Sequence, residues 1–543
     1  MCGILCYLNK DKESKIYNDC KKRIDLLKPR GPEKYSYVMP NKNLYLGFQR
    51  LKINDLSELG DQPFDKKDAV MICNGEIYNH KELKEKYDLK PTGSSDCEVI
   101  LLMYLKFGIK KTLDELDGVF AFVIYDKHRN EIIAGRDSYG VKPLFMSETD
   151  EYLVFSSELK ALYGLKKVRA FPPGSFWFST SRIFNVFSYT HKNVKRTTLP
   201  AAFRSWTNVY DVVMDYMGLK KRTRQHLHNA VLKRLQSDRK IGCMLSGGLD
   251  SSLVTAIVKK YSKENVVTYS IGLENSLDLE NARKVAKHLG TEHHEVIFSE
   301  KTGLDAIPDV IYATETWDTT TIRASVPMYL LSKYISENTP EVKVILSGEG
   351  ADEVCQGYLY FHNQPNCYEG HDESVRLLED LYYYDVLRVD RCTAAFGLEV
   401  RVPFLDREFL NNYMSIPRHY RCPDKKKGEK WLLRETFEDN SILPPEILWR
   451  RKDGLSDGCS SVKRPWYKII EEKAELEISD EEFENHKYTH CPPRTKESLM
   501  YRKYFEKFFP EKDRDKIIPY EWLPKWSGDM INPSGRLIGA FDS

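Results

Sequence analysis

Residues 246–252 read SGGLDSS, and what flanks them leaves few structures open. The run before them, IGCML (241–245), is apolar and short enough for a buried strand, and LVTAIVKKY after them has helical spacing. Two glycines, three serines and one acid therefore occupy a strand-to-helix turn. Such a turn exposes the unpaired first amides of a helix, and these bind phosphate. Small residues let the backbone come close to phosphate oxygens. Asp250 would repel a phosphate unless a hard cation such as Mg2+ lay between them and took oxygen ligands from both. The turn is not the G-x-x-x-x-G-K-[ST] loop, since no lysine follows the glycines. The plainer reading is a Gly-rich turn with a Ser or Asp helix cap.

Beyond this turn the pattern repeats. From about Val209, a helical stretch is followed by alternating runs: IGCML then 249–261, VVTYSI (266–271) then 279–290, HEVIF (294–298) then helical runs, and VKVIL (342–346). The alternation predicts an α/β domain with a largely parallel sheet covered on both faces. Ligands of such sheets sit at the carboxyl ends of the strands. SGGLDSS lies at one such end, and SGEGADE (347–353), directly after VKVIL, lies at another. The second turn offers Glu349, Asp352 and Glu353, and Asp352 can share a metal with Asp250. Acids after a strand are also commonly solvated caps. Taken together, the two turns point to ATP chemistry with release of pyrophosphate.

Up to about Ser188 the style differs. Short β-like runs fall at 3–8, 43–53, 69–78, 118–126, 131–137 and 152–159, with a helix-like run at 97–108. Asn74-Gly75 and Asp117-Gly118 read as turn signals between them. This half is expected to be a strand-rich α+β domain, joined to the next by a polar segment over 189–208. A length of 543 residues fits two or more domains. A net charge of +2, without a large basic stripe, argues against nucleic acid as the main partner. No apolar run reaches the roughly 18 residues of a membrane span, and no signal peptide is evident. Twelve scattered cysteines without a C-x-x-C read as reduced thiols, so the expected compartment is the cytoplasm.

The amino terminus adds a second chemistry. If Met1 is removed, Cys2 carries a thiol and a free α-amine, and the amine can act as base for its own side chain. A lone cysteine is usually a small core residue. Arg50 in FQRLKIN can clamp a carboxylate, Asn74 and Gly75 in CNGEIYNH can donate to an oxyanion, and Asp96 in GSSDCE can hold an ammonium. Each also has a plain alternative: a surface arginine, an Asn-Gly hairpin turn, a helix-start aspartate.

MCGI, RLKI, NGEIYNH and SDCE resemble the class II glutamine amidotransferases, and SGGLDSS resembles the pyrophosphate loop of ATP-pyrophosphatase-type synthetases. The two in this order resemble the glutamine-hydrolysing asparagine synthetases. TTIRASVPMYL (320–330), SGEGADE, DRCTAAFGLEVRVPFLD (390–406), LLRETFED (432–439), ILWRRKDGLSDG (447–458) and LPKW (523–526) extend the likeness over nearly the whole chain. The resemblance implies an Ntn-hydrolase-like αββα sandwich over 1–190 and an adenine-nucleotide-α-hydrolase-like synthetase domain over 209–543. It implies that Cys2 attacks the glutamine amide in a pocket of Arg50, Leu51, Ile53, Asn74, Gly75, Glu76 and Asp96. Leu245, Ser246, Gly247, Gly248, Asp250, Ser251, Ser252, Ile271, Ser347 and Gly348 would bind ATP, with Asp250 and Asp352 on Mg2+. Glu349 would support formation of a β-aspartyl adenylate and the attack by ammonia, Lys452 would neutralise charge in the adenylation, and Thr320 and Arg323 would recognise aspartate. Glutamine, aspartate and ATP are the implied partners, with a homodimer left open.

Some positions depart from the family pattern. Pro29-Arg30-Gly31-Pro32-Glu33 stands where H-R-G-P-D is common, Leu5 replaces a bulkier residue, and Gly454 and Leu455 replace a larger residue and an aromatic. None removes a proposed catalytic group. Two other readings compete: a relative that forms another amide, as β-lactam synthetases do, and a silent glutamine- or nucleotide-binding regulator. Intact Cys2, Arg50 and Asp96 argue against the first, as TTIRAS argues for aspartate, and the presence of Cys2, Asp250 and Glu349 argues against the second.

Overall fold

A computed structural model describes residues 1–10, 16–187, 216–438 and 442–534. The chain divides into two compact units. The expected connecting segment over 189–208 and the first residues of the helix expected from Val209 lie outside the described residues.

In the first unit, the described strands are β1 (Gly3–Asn9), β2 (Lys34–Asn41), β3 (Leu44–Arg50), β4 (Phe64–Asp65), β5 (Ala69–Ile77), β6 (Gly118–Asp126), β7 (Glu131–Arg136), β8 (Phe145–Glu148), β9 (Tyr152–Ser156), β10 (Val168–Ala170), β11 (Ser175–Phe178) and β12 (Phe184–Val186). They form two antiparallel sheets, ordered β10-β8-β9-β1-β3-β2 and β12-β11-β7-β6-β5-β4. The central strands explain the layering. Val70, Ile72, Ala121, Val123, Ile132 and Ala134 face Ile4, Cys6, Leu46 and Phe48 across an inter-sheet core. The alternate residues Ala69, Met71, Cys73, Phe120, Phe122 and Ile124 form a second core with α3 (Glu98–Phe107) and α4 (Ile109–Glu115). A strand covered on both faces must be apolar at every position, which is why these runs read as continuous rather than alternating. The helix α1 (Tyr17–Asp25) packs on β1 and β3, so the layers are helix, sheet, sheet, helix, as expected.

Two expected turns are strands instead. Asn74 and Gly75 lie inside β5, paired with Ala121 and Phe120. Gly75 is small because a Cβ there would come 2.8 Å from the Val119 carbonyl oxygen and 2.9 Å from Phe120 Cβ. A crowded neighbouring strand, not a turn conformation, calls for the glycine. Asp117 accepts the Tyr78 amide at 2.8 Å and Gly118 opens β6, so this pair starts a strand rather than closing a hairpin.

In the second unit, β13 (Lys240–Met244), β14 (Val267–Gly272), β15 (Glu292–Ile297), β16 (Val342–Leu346) and β17 (Glu399–Arg401) form a sheet ordered β15-β14-β13-β16-β17. The first four run parallel. The helix Leu249–Tyr261 follows β13, Leu277–Leu289 follows β14, and Thr319–Asn338 precedes β16. Among the described residues no helix is long and apolar enough to cross a membrane.

Candidate functional site

The first group of residues gathers where β1 begins and β3 and β5 end. Antiparallel pairing sets Gly3 opposite Gln49, which brings Cys2 beside the residues that follow β3. The Cys2 thiol donates to the Leu51 carbonyl at 3.7 Å, and the Cys2 amide donates to Asn74 Oδ1 at 3.0 Å. Because Oδ1 takes that hydrogen bond, the Asn74 Nδ2 group is left as a buried donor with no acceptor. This is what an oxyanion donor needs before its substrate arrives. Glu76 and Asp96 are joined by Asn54, whose amide donates to them at 2.8 and 3.3 Å, and Asp96 also accepts the Ile77 amide at 2.7 Å. Leu51 and Ile53 are buried at the same end. Arg50 is buried too, and its guanidinium already donates to the Ser57 carbonyl at 2.7 Å and pairs with Asp61. A substrate carboxylate would share that fork with Asp61.

Sequence reasoning missed two positioning groups here. Arg30, inside one of the departing stretches, donates from Nε to the Cys2 carbonyl at 2.9 Å and pairs with Glu158 at 2.8 Å. Asn54 sat unremarked beside Ile53. Burial pushes the Cys2 thiol up, against the lowering pull of the nearby terminal amine. Burial also pushes the Met1 α-amine down to about 6.

The second group gathers at the carboxyl ends of β13, β14 and β16. Gly247 adopts φ +70°, and a Cβ there would overlap the backbone of Asn281 and Ala282. Gly248 caps the helix Leu249–Tyr261 without a side-chain hydrogen bond to the first turn. A Cβ on Gly348 would lie 2.8 Å from the Ser251 nitrogen and 2.9 Å from the Asp250 carbonyl carbon. The two glycine-bearing turns therefore pack backbone against backbone. Overpacking of this kind costs about 1–3 kcal/mol, so Gly348→Ala is expected to lower stability by that order and to weaken nucleotide binding. Thermal unfolding with and without ATP checks both.

A cavity opens over these turns. Leu245, Ser246, Gly248, Asp250, Ser251, Ile271, Thr320, Ser347, Gly348, Glu349, Asp352 and Lys452 line it. Three expected ligand residues do not. Gly247 shapes the turn from behind, and Ser252 is fully buried, because it falls on the inner face of the helix. Arg323 is buried with its guanidinium on Glu497, at 2.8 Å through Nε, and on Asn532 Oδ1 at 2.7 Å. A buried guanidinium must be paired, and the helix Lys496–Phe508 supplies its partner. Thr320 does reach the cavity, where its hydroxyl donates to the Trp522 carbonyl at 3.2 Å.

The cavity is dense in charge. Lys430 lies between Asp250 and Asp352, and Lys452 donates to the other Asp352 oxygen at 2.6 Å. Burial works to raise the Asp352 carboxyl, but the ammonium groups of Lys430 and Lys452 outweigh it and hold it well below the usual carboxylate range. Burial pushes Glu349 up, while Arg388, 2.8 Å away, pulls against that. Arg388 also pairs with Asp385 at 2.7 Å. Sequence reasoning missed Lys430, Asp385 and Arg388, although Lys430 lies two residues before LLRETFED and Arg388 two before DRCTAAFG.

Two acidic residues and a phosphate turn fit a hard cation. The Asp250 Oδ1 atom is buried and accepts no hydrogen bond. Among the described residues no cluster of three or more His, Cys, Asp or Glu could hold a metal ion. The protein would thus supply two carboxylates and leave the other positions to phosphate and water, as Mg2+ sites commonly do.

The family described as "Glutamine amidotransferase domain" matches residues 1–174, and the family described as "Asparagine synthase" matches residues 222–372 and 369–531. The chain is 43% identical to the "Asparagine synthetase [glutamine-hydrolyzing]" of Gallus gallus, an alignment that covers 100% of this chain and 99% of that protein. It is 42% identical to the proteins of the same description from Mus musculus and Homo sapiens, over the same shares.

Proposed function

Since the chain belongs to the family of glutamine-hydrolysing asparagine synthetases, we propose that it makes L-asparagine from L-aspartate, L-glutamine and ATP, releasing glutamate, AMP and pyrophosphate. The observation that carries this reading is that one chain holds a cysteine with a prepared oxyanion donor and, separately, an acid-lined cavity over two phosphate-type turns.

Residues 1–190 act as the glutaminase. With Met1 removed, the Cys2 nitrogen becomes an amine held by Asn74 Oδ1, and it takes the thiol proton as the sulfur attacks the glutamine amide. Asn74 Nδ2 and the Gly75 amide stabilise the oxyanion. Arg50 receives the α-carboxylate, Asp96 and Glu76 the α-ammonium, and Leu51 and Ile53 shape the pocket. The Cys2 ammonium returns that proton to the amide nitrogen, which leaves as neutral ammonia and gives a Cys2 thioester, and water then hydrolyses the thioester to release glutamate and restore the thiol.

Residues 209–543 act as the synthetase. The amides of the first turn after Gly248, with Ser246, Ser251, Ser347 and Gly348, cradle the ATP phosphates, and Leu245 and Ile271 contact the nucleoside. Asp250 and Asp352 would hold Mg2+, which when bound offsets the phosphate charge that develops as pyrophosphate departs. The aspartate β-carboxylate attacks the α-phosphorus, and Lys452 neutralises the pentacoordinate phosphate. Ammonia then attacks the β-aspartyl carbonyl, with Glu349 accepting the surplus proton, and AMP leaves. Thr320 meets aspartate at the cavity wall. Arg323 acts one layer behind, fixing the helix that carries Thr320. A homodimer and a cytoplasmic setting belong to the same reading, and sedimentation of the purified chain decides the first.

Glutamine labelled with 15N in its amide, supplied with aspartate, ATP and Mg2+, is expected to give labelled asparagine and AMP by mass spectrometry. Glutamate and AMP without asparagine would mean a different acceptor. No product even with added ammonia would favour a silent regulator.

A further inference from the structure

Lys430 is the least accessible cation of the cavity, its side chain 1% exposed. Its ammonium donates to Asp250 Oδ2 at 2.6 Å and forms an ion pair with Asp352 Oδ1. Lysine is rarely buried without such partners. Two further observations show that the chain is shaped around it. Its backbone is left-handed, φ +55° and ψ 21°, a conformation that residues with a β-carbon seldom adopt and that concentrates at functional sites. Directly opposite, a Cβ on Gly357 would overlap both Lys430 Cε and Asp352 Oδ1, so the lysine stem fills space that only a glycine leaves.

Resting on the reading of Asp250 and Asp352 as the metal-holding carboxylates, we propose that Lys430 is the cavity's resident cation, a positioning residue that occupies the divalent metal's place until nucleotide arrives. Without it, two carboxylates would face each other across a poorly solvated floor and repel. With it, both are held by one ammonium and aimed at the phosphate turns. Its ammonium and a divalent cation compete for the space between the same two carboxylates, so a metal alone gains little by entering. Triphosphate changes the balance: it brings oxygen ligands for the metal and a new anionic partner for the ammonium. Lys430 then turns from the carboxylates to phosphate, and metal and nucleotide enter as a linked pair. Lys452 differs in being 20% exposed and in donating to Asp352 alone of the two metal-holding acids, so it stays with that acid while Lys430 moves.

The test is Mn2+ binding to the purified full-length protein, counted by the electron paramagnetic resonance signal of free Mn2+. The native protein is expected to bind Mn2+ at least tenfold more weakly without a non-hydrolysable ATP analogue than with it. Lys430→Met is expected to bind Mn2+ alone at least tenfold more tightly than the native protein, with that gap shrinking when the analogue is present. Lys430→Arg, which keeps the charge, is expected to restore weak binding. If native protein binds Mn2+ equally well with and without nucleotide, the proposal is overturned without any variant. A folded Lys430→Met protein with unchanged Mn2+ affinity overturns it too and leaves Lys430 a strut. If instead Asp352→Asn leaves nucleotide-linked Mn2+ binding intact, the carboxylate reading itself fails, whatever Lys430 does.

Discussion

Cys2→Ala is expected to abolish asparagine synthesis from glutamine, by about a thousandfold or more, while synthesis from ammonia stays near the native rate. In the proposed reaction the sulfur is the group that attacks the glutamine amide, and loss of a nucleophile is among the largest single losses an enzyme can suffer. The fold should tolerate the change, because the Cys2 thiol makes one long hydrogen bond, to the Leu51 carbonyl at 3.7 Å. The backbone contacts from Asn74 and Arg30 remain. Asn74→Ala should lower glutaminase activity less, by about a hundred- to a thousandfold, the usual effect of losing one oxyanion donor. Steady-state rates with glutamine and with ammonia, measured on one preparation, separate the outcomes. Loss of both activities with an intact fold would mean that the two reactions are not divided between the units.

Asp352→Asn should show the opposite pattern. Synthesis should fall about a hundredfold or more with either nitrogen donor, and glutamine hydrolysis should survive. The carboxylate is where Lys430 and Lys452 converge, and an amide can neutralise neither. Removing one partner from a buried ion pair costs roughly 3–5 kcal/mol. Asp352 is 18% exposed, so the loss should fall at the low end, about 3 kcal/mol. Chemical denaturation measures that term, and pyrophosphate exchange into ATP measures the adenylation step. Normal exchange with lost asparagine synthesis would move Asp352 from adenylation to the ammonia step.

Much of this was legible locally. The helical spacing after SGGLDSS predicted 249–261, and the structure has Leu249–Tyr261; VKVIL is β16 at 342–346. Periodicity and apolar runs report what a segment buries, and that depends mostly on the segment itself. Asn74-Gly75 was misread because glycine has two uses. It relieves strain at positive φ, and it makes room for a crowding neighbour; only the pairing of β5 with β6 tells which. The short outer strands β10 to β12 carry too few residues to set a period.

The sequence by itself determined the two fold classes and the strands and helix that flank the two glycine-bearing turns, because each is written in contiguous residues whose backbone and side chains act together. Tertiary structure alone decided which charges meet. Lys430 reaches Asp250 across 180 positions, Arg388 reaches Glu349 across 39, and Arg323 is drawn to Glu497 across 174 rather than to the cavity. A charged side chain taken out of water has to find an opposite charge, and which one it finds is set by how distant segments pack.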